Sequence, residues 1–167
     1  CLDPSPPTEK TLRALADVLE DNLDDLMQLA GRVPEDVEKL IKAVGSPNYG
    51  LTMDMGNFLC VNEDPVKAVQ RVAKYAIMCH TKDFHVRPKK QVPPSGWFAT
   101  PTPIALRGAI VGHGVIDVPK QLKIIKKVGY KGYLSLEFEG MEEPAGAILL
   151  GLEYLKIQLK AIKALEE

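Results

Sequence analysis

Three short apolar stretches, each set between helical segments, carry an ionisable residue on the face opposite their apolar side chains. No other feature constrains the fold of this chain as tightly. The stretches are residues 50–56, 77–83 and 133–139, with a weaker candidate at 18–22. Around them, hydrophobic residues recur at helical spacing. Thr8 is placed to cap a segment carrying Leu12, Leu15, Ala16 and Leu19, after an opening made extended by Pro4, Pro6 and Pro7. Val37, Leu40, Ile41 and Val44 form a second face, between Pro34 and Gly45. Asp64 and Pro65 start a third helix bearing Val69, Val72 and Ala76; Asp117 and Pro119 start a fourth, with Leu122, Ile125 and Val128, that stops at Gly129. A fifth runs from about Pro144 through Leu149, Leu152, Leu155, Leu159 and Ile162. Strands alternating with helices are the signature of a parallel sheet. Residues 84–114, rich in Pro and Gly, read as one long irregular segment, and a loop of that length in a compact domain is usually functional.

Side chains two apart share a face of a strand. Leu51, Met53 and Met55 therefore oppose Asp54; His80 and Lys82 lie together; Ser135, Glu137 and Glu139 oppose Leu134, Leu136 and Phe138. In a closed barrel the apolar face meets the outer helices. Ionisable residues near the C-terminal strand ends then converge where barrel active sites lie. One such residue is ordinarily a solvated rim position. Three strands in succession, offering carboxylate, imidazole and carboxylate in one phase, form a donor set suited to a hard or borderline divalent cation.

The charge balance narrows the function classes. With 21 basic and 22 acidic residues the formal net charge is −1, and there is no basic stripe of the kind that phosphate-backbone binding needs. Nucleic acid is not an expected partner. Cys1, Cys60 and Cys79 show no CxxC and no paired spacing, which argues against a disulfide framework and for a cytoplasmic setting. No apolar run is long enough to span a bilayer, so no membrane association is expected.

At these residues the sequence resembles the xylose isomerase-like barrels, a superfamily of sugar-phosphate isomerases and epimerases, ketose 3-epimerases, inosose dehydratases and endonuclease IV. The resemblance rests on Ser46-Pro47-Asn48-Tyr49-Gly50-Leu51-Thr52-Met53-Asp54-Met55-Gly56-Asn57, on His80-Thr81-Lys82-Asp83, on Gly112-His113-Gly114-Val115-Ile116-Asp117, and on Gly129-Tyr130-Lys131-Gly132 leading into Leu136-Glu137. It implies an α/β fold, the C-terminal half of a (β/α)8 TIM barrel, with about four parallel strands and outer helices, formed by residues 1–167 as one domain. It also implies one divalent metal (Mn2+, Mg2+, Co2+ or Zn2+) held by Glu, Asp, His and Glu from consecutive strands. Asp54, His80 and Glu137 match the last three ligands. Glu20, 34 positions before Asp54 and followed by Asp21 and Asn22, matches the first. The residues around Glu20 leave its element open: Leu12, Leu15, Leu19, Leu23 and Leu26 also sketch one continuous helix, which would put Glu20 on a helix surface.

The activity that the resemblance implies is isomerisation or epimerisation of a sugar or sugar phosphate through an enediolate, with Glu20 and Glu137 as paired acid and base. The alternative is an inosose-type dehydratase, in which Lys82 matters more. In either chemistry Lys82 is a candidate catalytic cation, placed to stabilise an enolate oxygen or to assist loss of a hydroxyl; otherwise it is a rim lysine paired with Asp83. Asn57, Asp83, His85 and Arg87 are the candidate substrate-binding residues. Gly112 and Gly114 are placed to offer backbone N–H groups to a phosphate, with Arg87, Lys89, Lys90 and Arg107 as nearby charge, while His113 between them reads as loop structure. Trp97 and Phe98 close over a sugar ring, anchor their loop or contact another subunit. One departure matters: Asn57 stands where endonuclease IV and several ketose 3-epimerases have histidine, which speaks against a multi-zinc phosphodiesterase.

A closed barrel needs eight βα units and typically about 250 residues. This sequence offers at most four strands and five helices. The missing half is expected from a longer natural enzyme, from a partner chain, or from a homo-oligomer of this one; a non-catalytic half-barrel or assembly module is the competing class.

Overall fold

The computed structural model describes residues 35–164. The candidate strand at 18–22 and Glu20 lie outside the described residues. Two compact units, Cys1–Gly50 and Leu51–Glu167, make up the chain. In the first, helix α1 (Glu35–Val44) ends at Gly45, whose φ of +58° closes the last turn as its N–H reaches the Ile41 carbonyl at 3.0 Å.

The second unit runs β1 (Leu51–Asp54), α2 (Pro65–Val72), β2 (Ala76–Thr81), β3 (Asp83–Pro88), β4 (Phe98–Ala99), β5 (Ile104–Ala109), α3 (Val118–Lys127), β6 (Leu134–Leu136) and α4 (Pro144–Ala164). Strands β1, β2 and β6 form a parallel sheet in that order, with helices in the connections. This is the βα alternation expected from the sequence, and the fold is α/β. The described residues hold three parallel strands; the fourth was placed at 18–22.

Local chemistry fixes the helix starts. The Asp64 carboxylate accepts from the N–H groups of Val66 and Lys67 at 2.9 and 3.1 Å, and Pro65 occupies the first turn, where its missing N–H removes no bond. Asp117 caps α3 by accepting from the Lys120 N–H at 3.1 Å.

The core lies between the parallel sheet and its helices. Met53 and Met55 from the β1 segment and Cys79 from β2 are buried against Ala68, Val69 and Val72 of α2, Leu122 and Ile125 of α3, and Leu155 and Ile162 of α4. Each large apolar side chain so buried stabilises the fold by about 1.5–3 kcal/mol relative to exposure. Gln121 is a fully buried polar residue in this layer. Its Nε2 donates to the Met55 carbonyl at 2.7 Å and the Pro65 carbonyl at 3.3 Å, tying α3 to the chain leaving β1.

The 84–114 segment corrects the sequence reading. Instead of one irregular loop it contains a second, antiparallel sheet ordered β3-β5-β4, with irregular chain between and after its strands. Asp83 to Pro88 pair residue by residue with Ala109 to Ile104, and Phe98 and Ala99 pair with Leu106 and Ala105. The prolines confine themselves to the ends and the intervening loop, where no ladder hydrogen bond is lost. No helix among the described residues is long and apolar enough to cross a membrane.

Candidate metal centre

Strand register assembles the site. Asp54 pairs with His80 across β1 and β2, and His80 pairs with Ser135 across β2 and β6. Glu137 lies one residue beyond β6, where its N–H still donates to the Thr81 carbonyl at 3.0 Å. The alternation that buries Met53 and Cys79 turns Asp54, His80 and Glu137 to the opposite face, where each is part-exposed. One ligand atom from each residue falls within 4.8 Å of the others, and His80 Nδ1 is 3.1 Å from Glu137 Oε2.

The orientation of Asp54 is fixed by the backbone. Its Oδ1 accepts from the N–H groups of Gly56 and Asn57, both at 2.9 Å, as the chain turns out of β1. That leaves Oδ2 for the site, and Oδ2 lies 3.4 Å from Lys82 Nζ. Anchoring of a ligand by such secondary bonds holds it ready for a metal.

Lys82 is the central surprise. Its side chain is only 3% exposed, and its ammonium stands 3.4 Å from Asp54 Oδ2, 3.2 Å from Glu137 Oε1 and 2.9 Å from Glu139 Oε2. Asn57 Oδ1 accepts from it at 3.3 Å. Burial pulls the ammonium down, but the hydrogen bond to Glu139, the charge of Asp54 and the bond to Glu137 together outweigh it and hold the group above its ordinary value. Lys82 is therefore a buried cation of the carboxylate cluster; the rim pairing with Asp83 is not what the structure contains.

The donor set fits a divalent cation. Two carboxylates and an imidazole suit Mg2+, Mn2+, Co2+ or Zn2+. Metal–ligand bonds of roughly 2.0–2.2 Å set neighbouring ligand atoms about 3 Å apart and opposite ones about 4.3 Å apart. The three ligand atoms lie within 4.8 Å of one another, close to that spacing.

The remaining candidates separate. Asp83 is buried, and both its oxygens are engaged by the backbone: Oδ1 accepts from the Phe84 and Ile116 N–H groups at 2.8 and 3.0 Å, and Oδ2 from those of Gly112 and Gly114 at 3.0 and 2.9 Å. The anion cradled by these glycine N–H groups is thus the carboxylate of Asp83, which corrects the reading of them as phosphate donors. A Cβ on Gly114 would stand 2.2 Å from Asp83 Oδ1, so only glycine allows this approach. His113, between them, is exposed in the turn, as a loop residue should be. Asn57 stays with the site through Lys82. His85 and Arg87 lie on β3, with His85 opposite Arg107 in the antiparallel sheet.

Trp97 is half-buried with Arg87 and Arg107 over its ring, at 5.5 and 5.7 Å from its centre. Phe98 meets Phe84 edge to face at 5.8 Å, and Lys82 Nζ lies 5.8 Å from the centre of the Phe84 ring. These contacts tie Trp97 to the arginines of β3 and β5 and Phe98 to Phe84 of β3. Glu139 is a contact of Lys82 that the sequence reading placed in the right phase but assigned no role. Cys60, on the short 3-10 helix that includes Asn57, is a free thiol pushed up by burial; Cys79 is also free.

Comparison with known proteins agrees with this architecture. The family described as xylose isomerase-like TIM barrel matches residues 11–158. Among solved structures, the chain is similar to a xylose isomerase domain protein from Planctomyces limnophilus, at 24% identity and a TM-score of 0.60, over 78% of this chain and 44% of that one. It is also similar to a xylose isomerase-like TIM barrel protein from Mycobacterium smegmatis, solved in complex with magnesium, at 17% identity and a TM-score of 0.64, over 96% of this chain and 54% of that one. The chain thus spans about half the length of these two structures. No curated protein matches it.

Proposed function

Since this chain belongs to the xylose isomerase-like TIM barrel family, we propose that it carries the metal centre of an isomerase or epimerase acting on sugars or sugar phosphates. The observation that carries this reading is the convergence of Asp54, His80 and Glu137 within 4.8 Å on one sheet face. Asp54, His80 and Glu137 would hold a divalent ion there, and the chemistry it would supply is Lewis-acid polarisation of a carbonyl oxygen, which acidifies the adjacent C–H bond.

The chain's own residues would do the rest. Glu137 is the proposed acid/base on one side of the substrate, and Glu20 is the proposed opposing carboxylate and fourth ligand. Lys82, two residues from His80, is the proposed cation for a substrate oxygen on which negative charge develops. Asn57, His85 and Arg87 remain the proposed contacts to substrate hydroxyl or phosphate groups. Asp83 is proposed to act on the substrate only through the turn it holds. The strands that close the barrel come, in this proposal, from a longer polypeptide or from a second copy of this chain, and the setting is cytoplasmic.

One observation favours a second reading, a dehydratase of the inosose type. The ammonium of Lys82 is buried among carboxylates, a cation placed to assist departure of a hydroxyl group. A panel of ketoses, ketose phosphates and inososes, incubated in D2O with Mn2+, Mg2+ or Co2+ and followed by NMR, separates the two. Isomerisation or epimerisation keeps every oxygen of the sugar, whereas dehydration loses water; deuterium incorporation at carbon reports proton abstraction in either case. Turnover should vanish with a chelator and fall by about 10²–10⁴ in Glu137→Gln. No exchange and no product with any sugar, from metal-loaded protein in a closed-barrel assembly, would refute the enzymatic reading.

A further inference from the structure

We infer that the Lys82 ammonium is a resident counter-cation of the metal centre, which a divalent ion displaces from Asp54 and Glu137 toward Glu139 and Asn57. This rests on the metal-centre reading proposed above and adds how the centre is controlled. The carboxylate oxygens facing Lys82 belong to two of the three proposed ligands, at 3.4 Å for Asp54 Oδ2 and 3.2 Å for Glu137 Oε1. Asp54 Oδ1 is occupied by two backbone N–H groups, so Oδ2 is the oxygen that both cations want.

The alternative berth is already in contact. Glu139 Oε2, at 2.9 Å, is the shortest of the ammonium's carboxylate contacts, and Asn57 Oδ1 lies at 3.3 Å. Neither Glu139 nor Asn57 is among the three proposed metal ligands. The base of the lysine is fixed: a Cβ added to Gly56 would lie 3.0 Å from Lys82 Cβ, so the stem has no room there. Only the end of the flexible chain is free to swing, and a short swing from Asp54 toward Glu139 keeps the ammonium paired throughout. Displacement then avoids the large penalty of leaving a buried charge without a partner.

Opposite signs follow for two substitutions. Lys82→Gln removes the competing charge and the repulsion between the ammonium and a dication a few ångströms away, so divalent affinity should rise by about tenfold or more. Glu139→Gln removes the berth and leaves Lys82 on Asp54 and Glu137, so affinity should fall several-fold. If Lys82 and Glu139 merely held the site in shape, both variants would weaken binding.

The test is calorimetric titration of MnCl2 and MgCl2 into the chain and each variant, with thermal melts to confirm folding. Tighter binding by Lys82→Gln with weaker binding by Glu139→Gln supports the inference. Equal or weaker binding by folded Lys82→Gln overturns it. Should that variant not fold, Glu139→Gln decides, because its side chain is 54% exposed: unchanged or tighter binding overturns the inference. Unsubstituted chain that bound neither ion would overturn the metal-centre reading itself, a result distinct from binding that Lys82→Gln fails to tighten.

Discussion

Replacing Asp83 by asparagine tests whether one buried carboxylate organises the segment after β5. In the native chain a buried negative charge is compensated by four backbone N–H groups, two on each oxygen. Asparagine keeps the shape but turns an NH2 group toward one of those pairs. If Oδ1 is retained for Phe84 and Ile116, the amide nitrogen faces the Gly112 and Gly114 donors, and flipping the amide only exchanges which pair is frustrated. Each buried donor left unsatisfied costs about 1–3 kcal/mol, so the substitution should destabilise by about 2–6 kcal/mol. That is a large fraction of the roughly 5–15 kcal/mol that holds a domain folded. With a urea m-value of about 2 kcal/mol per molar, the midpoint of denaturation followed by circular dichroism should fall by about 1–3 M. A shift below about 0.3 M would refute the assignment, since the four donors would then have other partners.

Three further outcomes follow from particular contacts. Gly114→Ala should destabilise by about 1–3 kcal/mol in the same assay, because its Cβ would meet Asp83 Oδ1 at 2.2 Å and the Phe84 carbonyl at 2.5 Å. Gln121→Leu should lower stability by about 1–3 kcal/mol, since the buried Met55 carbonyl loses the Nε2 donor at 2.7 Å; an unchanged midpoint would show that carbonyl to be satisfied elsewhere. Tyr130 is pushed up to about 12 from 10.0, first by burial and then by Cys79, while its hydroxyl donates to the Tyr133 carbonyl at 2.8 Å. Its raised value gives stability fully present below the unfolded value near pH 10 and lost as pH rises through about 12, so Tyr130→Phe should flatten the decline across that window and, by losing the bond to the Tyr133 carbonyl, lower stability by a constant amount below it.

The parallel sheet and the shared face of Asp54, His80 and Glu137 were legible in the sequence because their signals are local. Period-two alternation marks Leu51, Met53 and Met55 against Asp54, and Asp64-Pro65 and Asp117 mark helix starts within three residues of the bonds they make. The antiparallel sheet was not legible. Its ladder joins residues 83–88 to 104–109 across a proline-rich span, and the partner strand carries Ala105, Gly108 and Ala109, small residues that give no strand signal. Gly108 is small for a tertiary reason, as a Cβ there would stand 2.3 Å from the Glu139 backbone. Asp83 illustrates the same limit: it looks like a substrate contact beside His80 and Lys82, and only the return of the chain some thirty residues later reveals that its oxygens serve Gly112, Gly114 and Ile116. Lys82 shares a face with His80 in the sequence pattern, but its contact with Glu139, which lies beyond the end of β6, is set by tertiary structure.

The central claim is that Asp54, His80 and Glu137 together hold one divalent ion. Electron spin-echo envelope modulation of the Mn2+-loaded chain reads a directly coordinated imidazole nitrogen, and the chain has three histidines, so the His80→Gln variant makes the signal specific. Nitrogen modulation in the unsubstituted protein that disappears in His80→Gln is the predicted result. Modulation that persists in that variant, or a bound ion showing none to begin with, would contradict the assignment of the centre.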